Sequence, residues 1–187
     1  MSNLHRGAED SSVVAHELRM EAVMAQYESA LLRYTTRILN NGSTAEDVVQ
    51  NTFIKLFRLW TKEQPEEKQL KAWLYRVAHN EAVDHIRRES RLKLLHDRQA
   101  EDPAAGDCRD GVHCPKPEDD RKQRVLRHLN RLHEREQQVV LLRLEEGLSY
   151  DEIAEITGRS SGNVGNILHH AVKKLSEIMK KEDAMRV

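Results

Sequence analysis

The chain has 187 residues, enough for one large or two small domains. Thirty Lys and Arg against 31 Asp and Glu leave a formal net charge of −1, which excludes a uniformly basic nucleic-acid binder. Mean hydropathy is −0.73, no apolar run is long enough to cross a bilayer, and the polar start has no secretory pattern. No membrane insertion is therefore expected, and the cytoplasm is the expected compartment.

Charge is segregated along the chain. Lys71 to Arg98 holds seven basic and four acidic residues, and Arg159 to Lys181 holds five and one. Glu101 to Asp120 holds two basic and seven acidic. Two basic stretches flanking an acidic spacer suit local phosphate contacts with weak overall attraction. Gly (8) and Pro (4) are scarce and β-type alternation is nearly absent, so an all-α fold follows. We expect two small helical domains joined by a flexible acidic linker, the C-terminal one containing a helix-turn-helix.

Residues 1–13 have no periodicity and read as a loose leader. Met20, Met24, Tyr27, Leu31, Tyr34 and Ile38 then recur at steps of four and three, an inward helical stripe that Asn40, Asn41 and Gly42 should stop. Ser43 and Glu46 carry a capping-box signature for a second helix, with Val49, Phe53, Leu56, Phe57 and Trp60 as its buried face. Glu46, Asp47, Gln50 and Asn51 lie near its start and face elsewhere. Acidic residues there suit the positive helix end, so helix stabilisation and a protein-docking patch are both open readings.

After the polar loop Thr61–Gln69, Leu70 to about Lys93 reads as a helix that is aromatic and apolar first, with Trp73, Leu74, Tyr75 and Val77. It turns polar and basic later, with His79, Asn80, Asp84, His85, Arg87, Arg88 and Arg91. A core anchor followed by a nucleic-acid-facing segment fits this pattern, as does a solvated face at a helix end. Residues 94–120 form the acidic linker, broken by three prolines and two glycines. It holds Cys108, His113 and Cys114, whose spacing matches no common zinc motif. Two free thiols are the reading we prefer over metal binding or redox sensing.

Regular periodicity resumes at Arg121. Val125, Leu126, Leu129 and Leu132 suggest one helix, and Arg135 to Glu146 the next, ended by Gly147. Ser149 with Glu152 caps a further helix, whose inward face is Ile153, Ala154 and Ile156. Gly158 ends it, because glycine takes the left-handed conformation without steric cost. Ser160 or Ser161 caps the last helix, with Val164, Ile167 and Leu168 inward. The spacing of Ala154, Gly158, Val164 and Ile167 is that of a helix-turn-helix, whose second helix enters the major groove. Its outward residues are Ser160, Ser161, Gly162, Asn163, Gly165, Asn166, His169, His170 and Lys173. The tail from Lys180 to Asp183 is expected to fray. No catalytic constellation, phosphate-binding glycine loop or paired-histidine metal motif occurs, so neither an enzyme nor a cofactor is expected.

Three separated stretches together resemble one family. They are STAEDVVQNTFIKLFRLW, LKAWLYRVAHNEAVDHIRRESR and LHEREQQVVLLRLEEGLSYDEIAEITGRSSGNVGNILHHAVKKL. Their order and spacing are similar to bacterial extracytoplasmic-function (ECF) sigma factors of the sigma-70 family. The resemblance implies a protein that binds core RNA polymerase, directs it to a promoter and promotes DNA opening. Residues 14–93 would be the region 2 domain, which docks on polymerase and reads and melts the minus-ten element. Residues 121–187 would be the region 4 domain, which reads the minus-thirty-five element, and residues 94–120 would thread along the polymerase.

The resemblance carries clamp docking on the largest polymerase subunit to Glu46, Asp47, Gln50 and Asn51. It carries downstream-element contacts to Asn80, Asp84, Arg87, Arg88 and Arg91. Upstream-element contacts fall to Arg159, Ser160, Ser161, Asn163, Asn166, His169, His170 and Lys173. The flap of the second-largest subunit and an anti-sigma factor are further implied partners. The chain departs from relatives on the recognition helix, where Gly165, Ile167, His170 and Val172 stand at positions often basic. Weak upstream binding by that domain alone is expected, with Arg159 and Lys174 supplying part of the missing charge.

The rival readings are a stand-alone helix-turn-helix regulator, which leaves the first two stretches unexplained, and a zinc- or redox-responsive adaptor built on Cys108 and Cys114. Two domains on a tether would take their relative placement from the partner.

Overall fold

The computed structural model describes residues 3–60, 67–97 and 120–185, with side chains over 16–60, 69–92 and 124–185. Among them there are only helices: α1 (Asn3–Leu39), α2 (Gly42–Trp60), α3 (Glu67–Asp97), α4 (Asp120–Arg127), α5 (Glu134–Leu144), α6 (Tyr150–Thr157) and α7 (Ser161–Met185). A short 3-10 turn, Leu129–Arg131, joins α4 to α5.

Helix α1 begins at Asn3, so the expected loose leader is helical instead. The α1–α2 corner turns on Asn40, whose φ of 52° is left-handed and which asparagine tolerates better than most residues. Capping there differs from expectation. Asn41 Oδ1, not Ser43, accepts from the Thr44 N–H at 3.2 Å, which starts α2 at Gly42. Buried positions Ala45, Val48, Val49, Thr52, Phe53, Leu56 and Trp60 form the inner face of α2. Phe57 falls outside that stripe and stays 45% exposed, against expectation, with the His16 ring edge-on at 4.9 Å. Leu31, Tyr34, Leu74 and Tyr75 are fully buried between α1, α2 and α3, while Trp73 is half-buried against them.

In the second helical unit α4 stops at Arg127, so Val125 to Leu132 is not one helix. Helix α5 places Val139, Val140, Leu141 and Leu142 in the core. Gly147, at φ 67°, turns the chain out of it, and the Leu148 N–H returns to the Leu142 carbonyl at 3.2 Å. The capping box at α6 is present as expected: Ser149 Oγ accepts from the Glu152 N–H at 3.2 Å, and Glu152 Oε2 accepts from the Ser149 N–H at 2.7 Å. Gly158 closes α6 in the left-handed region at φ 65°. Val164, Leu168, Ala171 and Leu175 bury the inner face of α7, and Ile167 is only half-buried. The α7 tail continues to Met185, where fraying was expected from Lys180. Glu182 pairs with His128 at 3.0 Å and Asp183 with Arg124 at 2.6 Å, tying it to α4 and the turn after it.

The two units pack directly on each other. Helix α6 lies against α3, and α5 against α1, so their apolar residues form one continuous core. Their relative placement is thus set within the chain, where the sequence suggested that a partner would set it.

Candidate docking and nucleic-acid interfaces

Three surfaces carry the residues singled out in the sequence. The first is a groove of about 660 Å³ between α1 and α2. Met20, Met24 and Leu32 line one wall, and Val49, Phe53, Ile54 and Phe57 the other. Glu46, Asp47 and Gln50 sit at its rim with Glu28 and Arg58. Asn51 is exposed but does not line the groove. Ile54 and Phe57 are 41% and 45% exposed, large apolar side chains that water solvates poorly. Sequence reasoning took Phe57 as core and did not single out Ile54. The available signal was an apolar run wider than one helical face can bury.

The second surface lies on the C-terminal half of α3. Asp84, Arg87, Arg88 and Arg91 share one polar hollow of about 270 Å³. Arg87 Nη1 donates to Asp84 Oδ1 at 3.3 Å, and Arg88 Nε to the Asp84 carbonyl at 3.2 Å. Asp84 therefore aims the guanidinium groups as well as facing solvent itself. Asn80 is exposed one turn earlier. His79, expected on the polar half, is instead buried, with Nδ1 2.9 Å from the Tyr34 hydroxyl. Burial, aided by Arg159 and Arg87, lowers its imidazole pKa to about 4. His79 is neutral at pH 7 and belongs to the core, not to the cationic surface.

The third surface is the outer face of α7. Ser160 caps it, its Oγ accepting from the Asn163 N–H at 3.3 Å. Asn163, Asn166, His169, His170 and Lys173 are exposed, and Asn163, Asn166, His170 and Lys173 recur three or four apart, on one side of the helix. The rings of His169 and His170 meet edge-on at 5.9 Å. Ser161 and Arg159 are half-buried, and the Ser161 hydroxyl bonds the Asp151 carboxylate. Gly165, read as outward, faces the Tyr150 ring: a Cβ there would sit 3.7 Å from Tyr150 Cε2. Lys174 does not supply the missing charge. Its ammonium donates to both Glu136 oxygens at 2.9 Å. Burial pushes the Glu136 carboxyl up, but Lys174 and the His133 N–H outweigh it and hold the pKa below its ordinary value.

Cys108, His113 and Cys114 lie outside the described residues. Among the described residues no group of three His, Cys, Asp or Glu is placed to hold a metal ion, and no helix is long and apolar enough to cross a membrane.

Known proteins match this chain in sequence and in fold. Residues 23–92 match the model of Sigma-70 region 2, and residues 122–175 that of Sigma-70, region 4. The RNA polymerase sigma factor YlaC of Bacillus subtilis is 30% identical over 169 residues, covering 89% of this chain and 95% of that protein. This chain belongs to the ECF sigma factors of the sigma-70 family. CarQ of Myxococcus xanthus, another RNA polymerase sigma factor, is 26% identical over 96% of this chain and 95% of its own length. The sigma factor RpoE from Bartonella quintana, solved with the anti-sigma factor NepR, shares the fold with a TM-score of 0.67 at 22% identity, covering 86% of this chain and 96% of that one. The sigma factor is thus a transcription initiation factor that binds core RNA polymerase and promoter DNA, and the stand-alone regulator is not favoured.

Proposed function

We propose that this sigma factor divides its work among the three surfaces. A region 2 domain over residues 14–93 docks on core polymerase through Glu46, Asp47 and Gln50 at the rim of the α1–α2 groove, with Asn51 beside them. The apolar floor supplies burial and the carboxylates fix register, the usual division between an interface core and its rim. The same domain holds the melted minus-ten strand with Asn80, Asp84, Arg87, Arg88 and Arg91. Holding a flipped base costs a few kcal/mol, offset by backbone and stacking contacts. A region 4 domain over residues 121–187 reads the minus-thirty-five element with Arg159, Ser160, Ser161, Asn163, Asn166, His169, His170 and Lys173. The asparagines are suited to adenine edges and the serines to phosphate or base. Residues 94–120 connect the two along the polymerase.

The observation that carries this reading is the groove: exposed Ile54 and Phe57 beside clustered Glu46, Asp47 and Gln50 make a docking face, which helix stabilisation alone would not require. The protein works in the cytoplasm, where polymerase is, without chemistry of its own. An anti-sigma factor, like the one in the Bartonella complex, is a fitting further partner. The test is competition for core polymerase. Asp47→Ala with Gln50→Ala should weaken core binding at least tenfold and leave helical content unchanged. Undiminished binding by that variant would reject the assignment.

A further inference from the structure

Two adjacent serines open the recognition helix, and their hydroxyls are bonded in opposite senses. Ser160 Oγ accepts from the Asn163 N–H at 3.3 Å, which uses a lone pair and leaves its proton to donate outward. The Ser161 hydroxyl instead bonds the carboxylate of Asp151, on the first turn of α6. An ionised carboxylate has no proton to give, so this bond has one direction: Ser161 donates and Asp151 accepts. The hydroxyl proton of Ser161 is thereby committed, and its lone pairs can only accept.

Asp151 is exposed and is not needed to start α6, which the Ser149–Glu152 capping box already does. Its place is nonetheless fixed. The neighbouring Tyr150 ring lies against α7 at Gly165, where an added Cβ would meet Tyr150 Cε2 at 3.7 Å. The Arg143 guanidinium covers the same ring, 5.4 Å from its centroid, and is anchored by its Nη1 bond to the Leu148 carbonyl at 2.8 Å. The start of α6 is therefore seated on α7, which keeps the Asp151 carboxylate within reach of Ser161, ten residues later.

This polarity decides what Ser161 can touch. Phosphate oxygens are acceptors, so a hydroxyl that can only accept gains nothing from the DNA backbone. In the major groove the donors are the exocyclic amino groups, adenine N6 and cytosine N4, while guanine and thymine present acceptors there. Each base pair thus carries an amino donor on one strand and a keto acceptor on the other. An acceptor-only hydroxyl separates amino bases (A or C) from keto bases (G or T) on the strand it faces. An uncommitted hydroxyl, which rotates to suit its partner, does not.

We propose that Asp151 is a positioning residue that sets base specificity: by taking the Ser161 proton it makes Ser161 a reader of amino bases in the upstream element. Ser160 keeps its donor for phosphate or keto bases. This rests on the assignment of α7 to the minus-thirty-five element proposed above, and it narrows that assignment by giving each serine one role.

The test is selection of upstream elements from a randomised pool by holoenzyme, assembled from core polymerase and the full chain, with the recovered sequences counted. Wild type should favour A or C over G or T at one position by about two- to tenfold, the range of one net hydrogen bond. Ser161→Ala should abolish that preference, and so should Asp151→Ala, which frees the hydroxyl to turn. Asp151→Lys, with donors and no acceptor, should abolish it as well and stands in if the alanine variant loses helix by circular dichroism. Asp151→Ala in a Ser161→Ala background should change nothing further, which separates action through Ser161 from a direct contact by Asp151. Removing a carboxylate beside the duplex tightens binding to all sequences alike, so the ratio between bases is the readout. A wild-type preference retained by the folded Asp151 variants, a further change in the double variant, or a wild-type preference for G or T at the Ser161-dependent position would overturn the proposal and leave the surface assignment standing. If no position responds to Ser161→Ala, the assignment of Ser161 to DNA fails and the proposal falls with it.

Discussion

Ser149 shows how much one side chain can decide. Its hydroxyl and the Glu152 carboxylate satisfy each other's backbone N–H groups, which starts α6 and so sets where the helix-turn-helix begins. The Ser149 hydroxyl also donates to Glu152 Oε2 at 2.7 Å, and that bond, with the one from the Ser149 N–H, holds the Glu152 carboxyl below its ordinary pKa. Ser149→Ala should cost about 1 kcal/mol in denaturant unfolding, and a change under about 0.3 kcal/mol would show that the cap does not support the fold. Leu142, fully buried in α5, should cost ~2–5 kcal/mol on truncation to Ala. Features of this kind were legible in the sequence because they are local: a cap and its partner lie three residues apart, and Gly158 announces a left-handed turn by itself. Ser43 misled for a related reason. Asn41, two residues earlier, takes the Thr44 N–H and the helix starts at Gly42, so Ser43 falls inside the first turn and not at its cap.

At the scale of the element, α3 and α7 each combine a core face with a working face. On α3 the working face was readable from its arginines, but His79 was not, because its partner Tyr34 is 45 residues away. His79 makes the packing pH-dependent. Its folded value of about 4 lies below the ordinary ~6.5, so the packing it supports is intact above ~6.5 and is lost progressively as pH falls toward 4. Two and a half units correspond to an upper limit of roughly 3 kcal/mol. Glu146 runs the other way. Burial raises its carboxyl pKa, so its contribution is present below the ordinary carboxylate value and is lost as pH rises through the raised one. Comparing wild type with His79→Gln isolates the histidine. Wild-type stability should fall more steeply between pH 7 and 4, and parallel curves would contradict the assignment. The proposed recognition face on α7 and the turn before it offers Arg159 and Lys173 as its cations, since Lys174 is held by Glu136. Upstream-element binding should therefore show a shallow salt dependence, with a log–log slope near −2 at about −0.9 per phosphate contact. A slope beyond about −5 would mean that cations outside α7 grip the duplex.

The whole molecule is where the sequence was least informative. Periodicity identified helices and their inner faces because each face repeats within its own helix. It could not show that α5 and α6 close onto α1 and α3, since Arg37 and Glu145 are over a hundred residues apart and each reads as an ordinary surface charge. The α1–α2 groove was half legible for a similar reason: the Glu46, Asp47 and Gln50 rim stood out, while the exposure of Phe57 depends on what α1 leaves uncovered. On the assignment proposed above, docking brings the α3 arginines and the α7 asparagines to a promoter together. The most direct test is transcription in vitro, with core polymerase, the purified full chain and genomic fragments, mapping the 5′ ends of the products. Discrete starts that require this protein and disappear with Asp47→Ala/Gln50→Ala are the predicted result. Fragments bound by the protein alone, with no initiation when polymerase is added, would contradict it.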